Sequence, residues 1–426
     1  MGYVIIGNSV AGIGAVEGIR QIDTQGEITL ISSESHHTYS RPLISYLLLG
    51  KVTEEKMKYR SDSFYTDNNV SFLPGITVTK IDAEKKQVAL SNGGNVPYDK
   101  LLVAAGSSPF VPPFDGLDTV KDKFTFMSLD DAHQLDKALS GSNGQNTGKK
   151  SVLIIGAGLI GLKCAEGIAQ RVSKITVVDL APGILSSILD EDGARIVQGH
   201  LEKQGIEFRL AHSVKKFDTN KAIFENNETI SFDILVLAVG VRPNTDLLKG
   251  IADIGRGIAV NSKSETSAPD IYAAGDCTQA LDVSSGQIKV MALLPNAYMQ
   301  GECAGINMAA DATGAAAEKS FDKAIPMNAI GFFGLHIITA GNYTGAHYKE
   351  QMGNYKKIFY SDNKINGYIL INNVEKAGIY TSLIRERTPL DTIDFNLVCE
   401  KPGLMAFTKE DRMEKLGAIG KSAASS

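Results

Sequence analysis

The same short arrangement occurs twice in this chain. Near its start an apolar run, Tyr3-Val4-Ile5-Ile6, meets a loop of mostly small residues, Gly7-Asn8-Ser9-Val10-Ala11-Gly12, followed by a helix-like stretch from Ile13 to Ile22. About 150 residues later Val152-Leu153-Ile154-Ile155 leads into Gly156-Ala157-Gly158-Leu159-Ile160-Gly161 and a second helix-like stretch. Apolar, β-branched runs of this length read as buried strands. A buried strand, a glycine turn and a helix begin a parallel βαβ unit, and the first amides of such a helix face a dinucleotide pyrophosphate. The second loop carries all three glycines of the G-x-G-x-x-G pattern, whereas the first has Ser9 at the middle position.

Each unit then offers an acid after its second strand. Asp179 ends the strand Ile175 to Val178, at the distance a nucleotide ribose requires. A carboxylate bonds a free 2′-hydroxyl and repels a 2′-phosphate, and Leu180, Ala181 and Pro182 follow without an arginine. NADH is therefore expected in preference to NADPH. In the first unit Glu34 follows the strand Glu27 to Ile31. It reads either as the acceptor for an adenosine ribose or as a solvated loop carboxylate. His36 and His37 stand beside it in a polar loop and are expected to be exposed.

Other segments are suited to close approach of a ligand. Arg41 precedes Pro42 and an apolar helix-like run to Gly50, and its planar guanidinium suits a phosphate or the edge of a flat ring. The strand around Leu101-Leu102-Val103 ends in Ala104-Ala105-Gly106, and small residues there let backbone meet ligand. Asp233 to Asn244 repeats that design with Val239 and Gly240, and Ile271 to Asp276 ends in Gly275-Asp276. A helix starts near Asn296 after Pro295 and runs to Ala310. Its N-terminal dipole would favour negative charge by roughly 0.3–1 kcal/mol, and by about 2 when sheltered.

The Pro-rich link Pro109 to Pro113 marks a domain edge, and the polar stretch Gly141 to Lys150 a loop. From Phe321 the texture changes to strands, Phe332 to Ala340, Tyr355 to Tyr360 and Asn366 to Ile371, then a charged tail around Lys409 to Lys415. Ser422 to Ser426 are expected to be disordered. A net charge of −5 gives no electrostatic reason for nucleic acid or an anionic membrane as partner. No apolar run reaches membrane-span length, and the first strand leaves no room for a signal peptide, so a cytoplasmic protein is expected. The four cysteines, Cys164, Cys277, Cys303 and Cys399, form no C-x-x-C pair, and with the seven histidines they make no metal-ligand cluster. No metal is expected, and redox chemistry must come from a bound cofactor.

Two nucleotide loops with a late Ala-Ala-Gly-Asp form a joint pattern over nearly the whole chain. It resembles the pyridine nucleotide–disulfide oxidoreductase superfamily of flavoproteins. The resemblance implies an α/β fold with two Rossmann-like domains and a C-terminal α+β interface domain. Residues 1–112 and 245–320 would bind FAD, 113–244 NAD(H), and 321–426 would form the interface domain with its tail. It implies FAD contacts at Gly7, Ser9, Val10, Ala11, Gly12, Glu34, Arg41, Pro42, Val78, Ala105, Gly106, Gly275, Asp276, Asn296 and Ala297, with Asp276 on the ribityl chain. NADH would meet Gly156, Gly158, Leu159, Ile160, Gly161, Asp179, Val239 and Gly240.

Within the superfamily, Tyr39 to Gly50 looks like the NADH:rubredoxin reductase, ferredoxin reductase and nitrite-reductase-like branch, many of whose members serve anaerobic metabolism. Pro42 stands about where NADH oxidases, peroxidases and coenzyme A disulfide reductases carry a redox cysteine, which argues against thiol chemistry. Tyr46 replaces a lysine common in ferredoxin-reductase relatives, and Lys163 stands where relatives carry glutamate. Lys163 is either a solvated helix residue or reaches the nicotinamide or flavin. Arg41, Tyr46 and Lys163 are the tuning candidates, and no protein general acid or base is assigned.

The resemblance implies an FAD-dependent NAD(P)H:acceptor oxidoreductase that passes hydride to flavin N5 and electrons on to a rubredoxin- or ferredoxin-like carrier. One alternative is a flavin subunit of a larger iron–sulfur complex, with Asp391 to Lys415 either docking the partner or packing on its own subunit. The other is an NADH oxidase. A homodimer is compatible with either.

Overall fold

A computed structural model describes residues 2–140, 149–350, 354–408, 410, 412 and 413. Residues 141–148 of the expected loop Gly141 to Lys150, and the last residues, lie outside that set. The chain divides into two compact units. One comprises residues up to Ser187, Ala194–Ala280 and Ile288–Asp322, and the other Ile188–Gly193, Leu281–Gln287 and the residues from Lys323 onward.

The first unit holds two five-stranded parallel sheets. In one, β1 (Gly2–Ile6) lies between β2 (Glu27–Ser32) and β3 (Lys100–Val103), with Val70–Pro74 beyond β2 and Ile271–Ala273 beyond β3. Alternate residues of a strand face opposite sides. Tyr3 and Ile5 therefore join one core and Val4 and Ile6 another. Burial on both faces is why β1 reads as a continuous apolar run rather than an alternating one. The other sheet repeats the plan: β4 (Ser151–Ile155) lies between β5 (Lys174–Asp179) and β6 (Ile234–Leu237), with Ile206–Leu210 and Lys123–Phe124 at the edges. In each sheet a helix follows the central strand: α1 (Val10–Ile22) after β1 and α2 (Leu159–Ile168) after β4.

A third long helix, α3 (Leu294–Thr313), packs along α1 through glycine. A Cβ placed on Gly301 would lie 2.0 Å from the Ala11 carbonyl oxygen, and one on Gly305 2.2 Å from that of Ala15. From the other side, one on Gly14 would lie 2.5 Å from the Tyr298 carbonyl oxygen. The two backbones touch, which fixes the start of α3 beside the first turn of α1. α3 begins at Leu294, slightly before the expected Asn296, because Pro295 is favoured in a first helical turn and has no amide to satisfy there.

The second unit is an antiparallel sheet in the order Met327–Phe332, Leu335–Gly341, Lys364–Ile371, Tyr355–Ser361, Ala346–Glu350. The segment read as one strand from Phe332 to Ala340 is interrupted. Phe333 and Gly334 both take positive φ, and Phe332 pairs with Leu335 across a tight hairpin. The apolar residues on either side of that turn made it look continuous. The helix Ala377–Arg385 buries Tyr380, Leu383 and Ile384 in this unit's core. Val398, Cys399, Ala406 and Phe407 join the same core, and the Tyr380 hydroxyl donates to the Val398 carbonyl at 3.0 Å. As far as Phe407, then, the late segment packs on its own unit.

Candidate functional site

A cavity of about 450 Å³ opens at the C-terminal ends of β1 and β3, where ligands bind in parallel sheets. Gly7 makes it possible. Its φ is +116°, and a Cβ there would sit 2.1 Å from the Ala104 carbonyl oxygen. The chain therefore turns tightly under the end of β3 and presents Ser9, Val10 and Ala11 to the cavity. Ser9 is the N-cap of α1 but makes no side-chain cap bond, so the first amides of α1 have no intrahelical acceptor. Such an end attracts an anion. Leu294 and Ala297, in the first turn of α3, line the same cavity.

The charged groups lie around this floor. Arg41 forms an ion pair with Glu34, and its guanidinium also donates to the Tyr39 hydroxyl at 3.1 Å and the Met127 carbonyl at 3.2 Å. The Tyr39 hydroxyl donates to the other Glu34 oxygen at 2.7 Å and accepts the Leu129 amide at 2.9 Å. Glu34 is thus neither a free solvated carboxylate nor an isolated charge. Asp276 takes a bond from the Ser107 hydroxyl at 3.3 Å. Burial pushes its carboxyl above the usual range, while Ser107 and the Arg41 charge pull it back. Asn244 donates to the Ala105 carbonyl at 2.8 Å and accepts from Ser108 at 2.7 Å, which ties the Ala-Ala-Gly end of β3 in place.

Most residues expected around FAD line this cavity: Gly7, Ser9, Val10, Ala11, Glu34, Arg41, Val78, Ala105, Gly106, Gly275, Asp276 and Ala297. Three expected residues are not among its lining. Gly12 acts from behind, since a Cβ there would lie 2.0 Å from the Gly7 carbonyl oxygen. Pro42 is exposed at the start of a short turn, and Asn296 is buried in the first turn of α3. Asn8 of the first glycine loop also lines the cavity, as do His37, Tyr39 and Asn244, which no local motif marks because the tertiary fold brings them there. His36 and His37 are half-buried, not exposed. His36 bonds Asp130 at 2.8 Å, and His37 packs edge-on to Tyr65.

The second glycine loop has the same construction. Gly156 has φ +113°, with a would-be Cβ 2.2 Å from the Ala238 carbonyl oxygen, and a Cβ on Gly161 would lie 2.0 Å from the Gly156 oxygen. Gly158 has nothing within 4 Å, so its missing side chain leaves open space before α2 instead of relieving a protein contact. Leu159 and Ile160 form the half-buried first turn of α2, and Val239 and Gly240 follow β6, where the Val239 amide nitrogen would lie 3.2 Å from a Cβ on Gly156. Asp179 does more than the sequence suggested. Its carboxylate accepts the Ala157 amide of the glycine loop at 2.6 Å and the Ala181 amide at 2.8 Å.

Lys163 is not a solvated helix residue. It pairs with the buried Glu166 one turn on, and its ammonium lies 4.4 Å from the centre of the Tyr46 ring. The short helix Ile44–Leu48 thereby brings two of the three tuning candidates together. Arg41 instead faces the cavity. The four cysteines are free and buried. Burial pushes the thiols of Cys277 and Cys399 up to about 12 and raises those of Cys164 and Cys303, so none is poised as a thiolate. Among the described residues no cluster of three or more acidic, histidine or cysteine side chains suits a metal, and no helix is long and apolar enough to cross a membrane.

This donor set fits a dinucleotide. An uncapped helix start and Arg41 suit two phosphates, and carboxylates at Glu34 and Asp276 suit hydroxyls on either side of them. Residues 1–301 match the pattern of pyridine nucleotide-disulphide oxidoreductases. The chain belongs to that family. It is an FAD- and NAD(H)-dependent oxidoreductase.

The enzyme is 31% identical over 401 residues to the NADH-dependent phenylglyoxylate dehydrogenase subunit epsilon of Aromatoleum evansii, covering 91% of this chain and 92% of that one. It is 30% identical to nitrite reductase [NAD(P)H] of Bacillus subtilis over 91% of this chain but only 47% of that longer protein. Among solved structures, NADH:rubredoxin oxidoreductase from Clostridium acetobutylicum superposes with a TM-score of 0.72 at 25% identity, covering 92% of this chain and 97% of that one. Putidaredoxin reductase, in its covalent complex with putidaredoxin, has the same fold, with a TM-score of 0.83 at 22% identity over 94% of this chain and 96% of that one.

Proposed function

We propose that this enzyme carries electrons from NADH to a small iron or iron–sulfur protein, with FAD in the cavity at Gly7 and NADH at the Gly156 loop. Bound FAD couples a two-electron hydride donor to a one-electron acceptor, and that chemistry belongs to the cofactor. The chain's residues bind and orient. The α1 amides and Arg41 hold the pyrophosphate, Glu34 takes the adenosine ribose, and Asp276 the ribityl hydroxyls. Asp179 serves the NADH ribose while bracing the loop beneath it through the Ala157 amide. The first turn of α3 supplies positive potential at the cavity wall.

The observation that carries this reading is that all four thiols are buried while the first unit holds a cavity whose donors suit a dinucleotide. With all four thiols buried, the chain offers no disulfide to take electrons, and a bound flavin would pass them to an external acceptor. Relatives named rubredoxin–NAD(+) reductase support a redox-protein acceptor, and a relative named NADH oxidase supports the oxidase alternative. Four free cysteines fit a reducing compartment such as the cytoplasm.

The test is anaerobic. The protein is reduced with NADH or NADPH in a stopped-flow instrument and then mixed separately with rubredoxin, ferredoxin, nitrite and oxygen. NADH should reduce the flavin faster than NADPH, and an iron protein should reoxidise it fastest. Fastest reoxidation by oxygen would overturn the assignment. A second reading, a flavin subunit of a larger iron–sulfur enzyme, is favoured by the near full-length match to a subunit of phenylglyoxylate dehydrogenase. It predicts stable co-purification with iron–sulfur polypeptides, and an enzyme that purifies alone with full carrier-reducing activity excludes it.

A further inference from the structure

Gln300 lies in α3, directly before Gly301, where α3 is pressed onto the first turn of α1. Only 3% of its surface is exposed, and it does not line the cavity. Its carbonyl oxygen accepts the Gly275 amide at 2.9 Å and stands 3.0 Å from the Thr278 hydroxyl, which also lies 2.8 Å from the Gly275 carbonyl. An amide N–H requires an acceptor, so the orientation of this side chain follows from its bond to Gly275. The Gln300 amide nitrogen has no hydrogen-bond partner among the described residues. Its carbonyl is therefore the working group, kept at the cost of a buried orphan donor.

The turn it grips is a demanding one. Gly275 has φ +84°, and a Cβ there would come within 3.1 Å of the Ala11 Cβ. The next residue is Asp276, which faces the cavity. One side chain thus joins the place where α3 meets α1 to the turn that aims Asp276.

We propose that Gln300 is a positioning residue for flavin binding, acting through Gly275 and Thr278 to hold the Asp276 carboxylate in the cavity. The inference rests on reading that cavity as the FAD site. Gln300 never touches the cofactor. It sets the angle of the turn, so that Asp276 meets the ribityl chain without reorganisation, and preorganisation of this kind governs how long a ligand stays bound.

The full-length holoenzyme provides the test. FAD release after dilution is followed by the fluorescence of free flavin, and the geometry of bound flavin by visible circular dichroism. Gln300→Met keeps the length of the side chain and removes the acceptor, and should speed release about tenfold. Thr278→Val should speed it about threefold, with the same change in the visible spectrum. The double variant should release faster than Gln300→Met by less than about threefold, because the two side chains hold the same turn while Thr278 also reaches the Gly275 carbonyl directly. Wild-type release and spectrum in Gln300→Met overturn the inference, as do effects that multiply in the double variant. Should Gln300→Met not yield folded protein, Thr278→Val decides alone, and wild-type behaviour there is equally fatal. Asp276→Ala separates the two levels. If it keeps FAD as wild type does, the site reading itself fails. If it loses FAD while Gln300→Met does not, only the role of Gln300 fails.

Discussion

Gly301→Ala adds one methyl group at the tightest contact between α1 and α3. Its Cβ would lie 2.0 Å from the Ala11 carbonyl oxygen, 2.7 Å from the carbonyl carbon and 2.8 Å from the Cα. Carbon and oxygen approach comfortably to about 3.3 Å, so α3 must retreat by roughly 1.3 Å along that contact. Every obstructing atom is backbone, and no side chain can rotate away. Overpacking of this kind costs about 3 kcal/mol, the upper end of its usual range. The retreat also carries Gln300 and the start of α3 away from the cavity.

The control is the same substitution at Gly199, inside the helix Glu191–Glu202, where nothing lies within 4 Å of the added carbon. There alanine should stabilise by about 0.5–1 kcal/mol through its helix preference. Both variants are heated with far-UV circular dichroism and free-flavin fluorescence recorded together. Unfolding of a multidomain flavoprotein is not two-state, so the order of the midpoints is read rather than a free energy. Gly301→Ala should unfold and release flavin well below wild type, and Gly199→Ala at or above it. A Gly301→Ala protein that keeps its flavin and its midpoint would refute the account of the α1–α3 contact.

Other outcomes follow from the same geometry. Burial raises the Asp276 pKa above its unfolded value, so the folded state binds its proton more tightly and stability falls as pH rises through that window. In flavin-free protein Asp276→Asn should therefore be more stable than wild type at pH 7 and indistinguishable from it below the unfolded carboxylate range, while binding FAD more weakly; equal stability at pH 7 would contradict the burial argument. Asp179→Ala removes the proposed ribose acceptor together with the bond to Ala157, and should raise the KM for NADH at least about tenfold. Unchanged NADH kinetics would sink that assignment. Glu166→Ala removes the ion pair that Glu166 makes with the largely buried Lys163 and should destabilise by about 1.5–3 kcal/mol, read from a denaturation series. Native protein should resist iodoacetamide at pH 8, since all four thiols are buried, and rapid labelling with loss of NADH-to-dye activity would reveal a thiol role.

The repeated strand and glycine loop were legible in the sequence because their requirements are local. A residue that must turn at positive φ beneath a strand, as Gly7 and Gly156 do, leaves little choice but glycine. Continuous apolar runs marked strands buried on both faces, and Asp179 stood at the spacing a parallel βαβ unit imposes. The strand and loop at Ile271 to Asp276 could be recognised by its small residues, although nothing local said that it pairs beside β3, 170 residues away from it.

What sequence could not supply depends on side chains meeting across the fold. Glu34 was ambiguous until Arg41 and Tyr39 were seen to hold it, and Lys163 until Glu166 and Tyr46 enclosed it. Gln300 looked like any polar residue on a small-residue helix. Its place under the Gly275 turn exists only because Gly301 and Gly305 let α3 lie against α1. Backbone conformation is written in short stretches of residue types, so the chain alone determined its two nucleotide loops and their order. The environment of a charge or an amide is made by distant segments packed together, and the tertiary structure alone decided which polar groups brace the cavity and which face it.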